Sequence, residues 1–347
     1  MTLAERIETF AELGDILRIT AEGKKVRHGE NLLSLIENQY IANPWFTPGN
    51  VRMAVSEIGK KLTPANLKSW TGRYPALQEN NKPITAGVIM AGNIPLVGFH
   101  DFLSVLISGN RLRAKTSSKD SRLIAETGKI LTSLNKGFSG SIDFTDDRLT
   151  GFDVIIATGS DNSSRYFEYY FGKYPNIIRK NRNSIAVIEG DESDEDLVKL
   201  GTDVFSYFGL GCRNVSKILV PEEYDFRSMF NSWNEWTPII NHSKYANNYD
   251  YNKAVCLVNR DKFLDTGYVL VKNDQGLSSP VGVIYFENYR SPENISAYIS
   301  SNSDKIQCIT GKKHLPFGSS QSPELWDYPD NADTLDFLLK KNRSGIL

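Results

Sequence analysis

From residue 84 the chain settles into one repeating pattern, in which a short continuous apolar run is followed by a stretch whose apolar residues recur at helical spacing. ITAGVIMAGN is the first such run. A helical stretch from Leu96 to Ser108 follows it, and after Gly109-Asn110 comes a second run, RLRAKTS. Residues 119–134 place Leu123, Ile124, Ile130, Leu131 and Leu134 on one helix face, SIDFTD and DVIIATGS read as strands, and 161–171 reads as a helix. A second round opens with NSIAVIEG, the helix DEDLVKLGTDVFSYF and the strand SKILVP. Later strands are expected at AVCLVN, GYVLVKN, GVIYFENY and KIQCITG, with a helix at 292–302 opened by Ser291-Pro292-Glu293. A strand that is apolar on both faces must be covered on both, and strands joined through helices run parallel. The pattern predicts an α/β chain with helices on both faces of parallel sheets.

The first 80 residues carry a different rhythm. Ile7, Phe10, Leu13 and Leu17, and then Leu32, Leu33, Ile36 and Tyr40, are spaced to share a helix face. Asn43-Pro44 and Thr47-Pro48 break that pattern, with Thr47 placed to cap the next helix and Pro48 in its first turn. The tail from Leu315 is rich in turn residues and ends in a short amphipathic helix, NADTLDFLLKK.

Composition narrows the class. A chain of 347 residues buries roughly three quarters of its unfolded surface and needs no disulfide or metal to hold it together. Lys plus Arg (40) nearly cancels Asp plus Glu (41), so no global field points to nucleic acid or an anionic membrane. Cys212, Cys256 and Cys308 are far apart and lack zinc-site spacing, and so sparse a set fits a reducing, cytoplasmic setting. MTLAERIETFAELGDILR carries four acidic residues and no long apolar core, which makes it neither a signal peptide nor an anchor. No apolar run approaches the roughly 20 residues of a membrane span.

Three short motifs could carry chemistry. Ala91-Gly92-Asn93-Ile94-Pro95 lies at the carboxyl end of a strand, the edge where doubly wound sheets bind ligands, and the Asn93 amide can donate to a developing oxyanion. Ala157-Thr158-Gly159-Ser160 again runs from strand through glycine to helix, which suits a phosphate. Taken alone, both read as plain strand-to-helix turns. Gly209-Leu210-Gly211-Cys212-Arg213-Asn214 sets a cysteine between backbone that can approach a substrate and an arginine that favours the thiolate. Cys256 and Cys308 lie inside apolar runs and read as core residues. His100, His242 and His314 have no partner that suggests a triad. The acidic run from Glu189 to Asp196 reads as a solvated turn and helix start. The aromatic cluster Tyr166, Phe167, Tyr169, Tyr170 and Phe171 reads as a helix packed on a sheet.

The order of these sites carries a resemblance. GNIPLVGFHDFLSVLISGNRLRAKTSSKDS resembles the aldehyde dehydrogenase superfamily stretch in which Asn precedes a Pro and a Lys closes the next strand. IIRKNRNSIAVIEGDESDEDL, DVFSYFGLGCRNVSKILVP and LPFGSSQSPELWDYPDNADTLDFL resemble the fatty acyl-CoA reductase (LuxC) branch of that superfamily. The resemblance implies two doubly wound α/β domains with a helical N-terminal segment, in a form shorter than typical aldehyde dehydrogenases. Residues 1–80 would pack on a dinucleotide-binding domain at 81–180, followed by a catalytic domain at 181–318 and a tail at 319–347. It makes Cys212 the nucleophile, Asn93 the side-chain oxyanion donor, Gly159 and Ser160 (with Thr158 beside them) the pyrophosphate turn, and Lys115 the ribose contact. The Pro-Phe-Gly at 316–318 matches a motif near the end of the catalytic domain.

Two departures from the superfamily shape the expected reaction. The general-base glutamate of hydrolytic members falls at Ile178, so water is poorly activated and a thioacyl intermediate survives for reduction. The ribose carboxylate of NAD-dependent members falls near Ser118, with Lys119 beside it, a pair that accepts a 2′-phosphate. A second cofactor-side glutamate falls near Gly276. The resemblance thus implies NADPH, with NADH also possible, and reduction of an acyl-CoA or other acyl thioester to the aldehyde. Reduction of an acyl phosphate, oxidation of a free aldehyde, and a non-catalytic acyl- or cofactor-binding subunit are the alternatives. An acyl-transferring or activating partner protein and a homo-oligomer are compatible with the family; nucleic acid, a metal and a membrane span are not expected.

Overall fold

A computed structural model describes residues 1–79 and 82–344, which form two compact units: Met1–Lys180 with the returning segment from Glu324, and Asn181–Pro323. In the first unit α1 (Leu3–Ala21), α2 (Glu30–Asn38), α3 (Pro48–Lys61) and α4 (Pro64–Thr71) precede the sheet. Thr47 caps α3 as expected, its hydroxyl accepting the Asn50 N–H at 3.3 Å with Pro48 in the first turn. Ile7, Phe10, Leu13 and Leu17 are all buried on one face of α1. Tyr40 departs from the expected face: α2 ends at Asn38, and a 3₁₀ turn at Gln39–Ile41 buries Gln39 and exposes Tyr40. The tighter turn changes the angle between successive residues, so a face defined by α-helical spacing does not continue through it.

The sheet of this unit alternates β1 (Thr85–Ile89), α5 (Phe99–Ile107), β2 (Arg111–Lys115), α6 (Arg122–Leu134), β3 (Ile142–Thr145), β4 (Val154–Thr158), α7 (Asp161–Phe171) and β5 (Asn176–Arg179). All its pairings are parallel, in the order β3-β2-β1-β4-β5. Phe167 and Phe171 of α7 pack toward Leu149, Ile155 and Ala157, whereas Tyr166, Tyr169 and Tyr170 are exposed. Only two of those five aromatics therefore pack on the sheet, because neighbouring aromatics must point to both sides of one helix.

The second unit contains β6 (Asn183–Val187), α8 (Asp194–Phe205), β7 (Val215–Pro221), α9 (Arg227–Ser232), α10 (Ser243–Asn259), β8 (Phe263–Asp265), β9 (Leu270–Asn273), β10 (Val283–Tyr289), α11 (Pro292–Ser301) and β11 (Ile306–Thr310). Its strand order is β11-β6-β7-β10-β9-β8, parallel except for the β8–β9 pair. AVCLVN, expected as a strand, is the last part of α10. Cys256 is buried against Tyr249, Leu270 and Val283, while Val255, Leu257 and Val258 are exposed. A six-residue apolar run fits either structure. Here no glycine or proline separates it from the preceding helix, and Arg260 ends that helix in the left-handed region (φ 60°). The acidic run after Glu189 is a turn and helix start: Ser193 and Asp196 form a capping box on α8. No helix among the described residues is long and apolar enough to cross a membrane, and no group of His, Cys, Asp or Glu among them could hold a metal.

The helical layer of the first unit is part of one core with its sheet and with α12 (Thr334–Ser344), which the tail contributes. Phe10 is fully buried, edge-on to Phe102 and Phe138 at 6.4 and 5.8 Å between centroids. Removing such a ring costs about 3–5 kcal/mol, a large share of a typical stability of about 5–15 kcal/mol. The returning segment is also tied by a chain of polar bonds. Trp70 Nε1 donates to Tyr328 Oη at 2.8 Å, and Tyr74 donates to Asp333 Oδ2 at 2.7 Å. With its own proton committed to Asp333, Tyr74 accepts from Tyr328 at 2.8 Å. Burial pushes the Tyr74 phenol up to about 12.

His100 on α5 belongs to this joint. Its Nε2 donates to the Leu325 carbonyl at 2.9 Å, and its ring lies edge-on to Tyr328. Burial holds the imidazole below the usual histidine range, although the Leu325 carbonyl and Asp101 pull the other way. Below about pH 6.5 the unfolded chain takes up a proton that the folded chain resists, so stability present above that pH is lost as pH falls. The loss is at most about 1.4 kcal/mol per pH unit for one group. Thermal unfolding at neutral and mildly acidic pH should show a larger drop for the wild type than for His100→Gln.

Candidate active site

In the first unit, strand order locates a candidate cofactor site. β2 and β4 flank β1, and both crossovers leave from this centre, so the sheet reverses its direction of winding between β1 and β4. Loops leaving the carboxyl ends of such a pair diverge to opposite faces and open a crevice where ligands bind. Asn93 is exposed on the loop after β1, and Thr158 ends β4. Gly159 follows, then Ser160, whose hydroxyl accepts the Ser163 N–H at 3.4 Å and caps α7. A side chain at Gly159 would bring its Cβ within 2.8 Å of the Phe167 ring and Ser163 Cβ, so the turn requires glycine to stay against its own helix. This helix start, with a turn that no Cβ can fill, fits the pyrophosphate of a dinucleotide.

The loop after β2 carries the other cofactor candidates. Lys115 ends the strand, and its Nζ reaches the Asp147 carbonyl at 3.1 Å. Ser118 and Lys119 are exposed. Asp120, the carboxylate of that loop, is turned inward and buried, where Oδ2 accepts the Leu96 N–H at 2.6 Å and Oδ1 has no partner. Burial pushes this carboxyl up to about 7, against the opposing pull of the Leu96 amide. Leu96 itself is left-handed (φ 57°), so Asp120 holds a strained residue and joins the loop bearing Asn93 to the loop bearing Lys115. Beside Thr158, Arg179 at the end of β5 forms a buried ion pair with Asp101 and donates to Thr334 of α12 at 2.9 Å.

In the second unit, the candidate feature is the turn from α8 to β7. Tyr207, Phe208 and Gly209 all have left-handed backbone (φ 52°, 60° and 75°), an uncommon sequence of three that brings the chain sharply round to Cys212. Glycine removes the strain at the third position. Phe208 lies against the His242 ring at 4.3 Å between centroids, and Tyr207 is buried. Cys212 is half-buried, unlike Cys256 and Cys308, and three neighbours tie its turn down. Ser184 Oγ donates to the Cys212 carbonyl at 3.0 Å, Arg213 Nε donates to the Ser320 carbonyl, and the Asn214 amide bonds both the turn and the end of α8. Asp203 accepts the Gly318 and Ser320 N–H groups at 2.8 and 2.9 Å, which anchors the Pro-Phe-Gly segment to α8. Burial raises the Asp203 carboxyl, and these same hydrogen bonds pull it back.

The sequence reading named Asn93, Lys115, Ser118, Lys119, Thr158, Gly159 and Ser160, and the structure gathers them on the carboxyl edge of the first sheet. Asp120, Arg179, Ser184, Asp203 and Asn214 had no role in that reading, although Asn214 closes the Gly209–Asn214 motif. Each is a buried polar residue beside a glycine turn or strand end, and buried polar residues in such places are held by specific partners. Ile178, where the resemblance carries the general base, sits in β5 opposite Ala157 and packs with an apolar cluster.

This architecture is the aldehyde dehydrogenase fold. An NAD-dependent aldehyde dehydrogenase from Sinorhizobium meliloti matches 92% of this chain and 72% of its own, at 13% identity and a TM-score of 0.64. Aldehyde dehydrogenase 21 from Physcomitrella patens, solved with the product succinate, matches 95% and 84% at 11% identity and a TM-score of 0.63. An aldehyde dehydrogenase from Bacillus cereus, solved with NAD+, matches 90% and 72% at 13% identity and a TM-score of 0.61. No protein-family model matches the sequence, and no curated protein matches it.

If the turn after β4 holds the cofactor, Gly159→Ala should weaken it about tenfold or more, near 1.4 kcal/mol. Fluorescence titration with NADPH measures this, and an unchanged affinity would remove the turn from the site.

Proposed function

We propose that this protein is an oxidoreductase of the aldehyde dehydrogenase superfamily that reduces an acyl-CoA, or a similar acyl thioester, to the aldehyde with NADPH. The observation that carries the reading is the Cys212 turn: a half-buried cysteine on strained, glycine-bearing backbone, anchored from beneath, in a chain with the aldehyde dehydrogenase fold. The Cys212 thiolate attacks the thioester carbonyl, and the tetrahedral oxyanion takes hydrogen bonds from the Cys212 N–H and, as the resemblance implies, from the Asn93 amide. Such donors are worth about 3–4 kcal/mol each in the transition state. The oxyanion collapses, the carbon–sulfur bond to CoA breaks, and CoA leaves as its thiolate while the acyl group stays on Cys212. One thiolate replaces another, so the step is near thermoneutral and needs no strong base.

A bound nicotinamide supplies the hydride that reduces the thioacyl carbon. The resulting thiohemiacetal oxyanion then reforms a carbonyl, releasing aldehyde and returning the electron pair to Cys212. An apolar residue at Ile178 supports reduction over hydrolysis, since no carboxylate there would activate water. Exposed Ser118 and Lys119, with Asp120 turned inward, support NADPH because no carboxylate of that loop would repel a 2′-phosphate.

Labelled acyl-CoA should leave a covalent acyl group on the wild type and none on Cys212→Ala. Labelling of that variant would overturn the assignment. NADPH consumption with acyl-CoA, acyl phosphate and free aldehyde, and NADH in parallel, identifies substrate and cofactor. No turnover on any of them, with binding intact, would instead make the protein a binding subunit.

A further inference from the structure

We propose that Asn214 is the positioning residue of the nucleophile: its side-chain amide seats the Cys212 turn on the end of α8 and screens the thiolate from that helix's carbonyls. The inference rests on the reading of Cys212 as the nucleophile. Asn214 is buried, and both ends of its amide are committed. Oδ1 accepts the N–H of Gly211, the residue just before the cysteine, at 2.8 Å. Nδ2 faces the carbonyls of Asp203, Val204 and Ser206 at 3.1, 3.3 and 2.8 Å. These belong to the last turn of α8 and the residue after it, where helix carbonyls lack internal partners and carry the negative end of the helix dipole.

Such carbonyls are a poor neighbour for a thiolate. A helix C-terminus favours cations and disfavours the charged form of a cysteine. Asn214 answers this twice: its N–H groups occupy the carbonyls, and its oxygen takes the Gly211 amide, which fixes the direction in which the chain enters Cys212. The other ties hold different atoms. Ser184 holds the Cys212 carbonyl, and Arg213 reaches away to Ser320. A cavity of about 40 Å³ lies behind the turn, with Phe205, Gly211, Asn214, Val215 and Tyr245 in its lining. It offers room for the turn to sink once the amide is gone. No other side chain fits the place: aspartate would set its charge against those carbonyls, serine reaches one side only, and glutamine is a methylene too long.

The test reads thiolate chemistry directly, without acyl substrate. Alkylation of Cys212 by iodoacetamide is followed across pH by intact mass, with Cys212→Ala as the blank because Cys256 and Cys308 are buried. Asn214→Ala should shift the alkylation midpoint to higher pH and slow alkylation near neutrality about tenfold. Asn214→Asp keeps an acceptor for Gly211 but adds negative charge, so its midpoint should move further still. Cooperative thermal unfolding identifies the folded variants; if Asn214→Ala does not fold, Asn214→Ser takes its place with the same expectation. Folded variants with the wild-type midpoint and rate would overturn the proposal while leaving Cys212 as nucleophile. A wild type that alkylates no faster than the blank would overturn the nucleophile reading, and this proposal with it.

Discussion

Parallel strands cannot be joined by tight hairpins, and nearly everything else in these two units follows from that constraint. β1, β2, β4, β6, β7 and β10 each deliver the chain to a loop at the carboxyl end, and a helix then carries it back across the sheet. In the first unit this rule concentrates the chemically interesting residues: the loops after β1, β2 and β4 hold Asn93, Lys115 and the Thr158-Gly159-Ser160 turn. The central strands β1 and β4, buried on both faces, supply a rigid frame from which those loops emerge.

Cys212 belongs to the opposite kind of loop. It follows α8 and precedes β7, so it lies at the amino end of its strand, where the parallel-sheet rule does not place ligands. Its backbone needs a different support, and the structure provides one in buried side chains. Ser184 near the start of β6, Asn214 just before β7 and Asp203 on α8 satisfy backbone groups that the strained turn and the neighbouring Pro-Phe-Gly segment leave open. Polar groups placed this deep cost stability when unpaired and confer rigidity when paired, which suits a turn that must hold one atom in place. Asp120 plays the comparable part in the first unit, holding Leu96 left-handed between the two loops.

Some of this was legible along the chain. Apolar runs alternating with helical spacing announced the parallel sheets, and Thr47-Pro48 announced the start of α3. Glycine marked both turns, at Gly159 because a Cβ has no room there and at Gly209 because the backbone is left-handed. AVCLVN misled because β-branched residues fit a strand and a helix end alike, and the uninterrupted helix before it decided the matter. Tyr40 misled because a 3₁₀ turn altered the angle between residues. The anchoring residues were not legible: Asn214 stands in plain view beside Cys212, yet its partners at 203–206 are carbonyls, which every residue possesses.

The sequence by itself determined the kind and order of most elements and the positions of the glycine turns, because those depend on local spacing and backbone freedom. The tertiary structure alone decided that the tail returns to the first unit through Tyr328 and α12, that Asp120 faces inward while Ser118 and Lys119 face out, and that Asn214 spans from Gly211 to the end of α8. The physical reason is that a buried hydrogen bond depends on which atoms folding brings within about 3 Å of one another, and that proximity is a property of the packed chain.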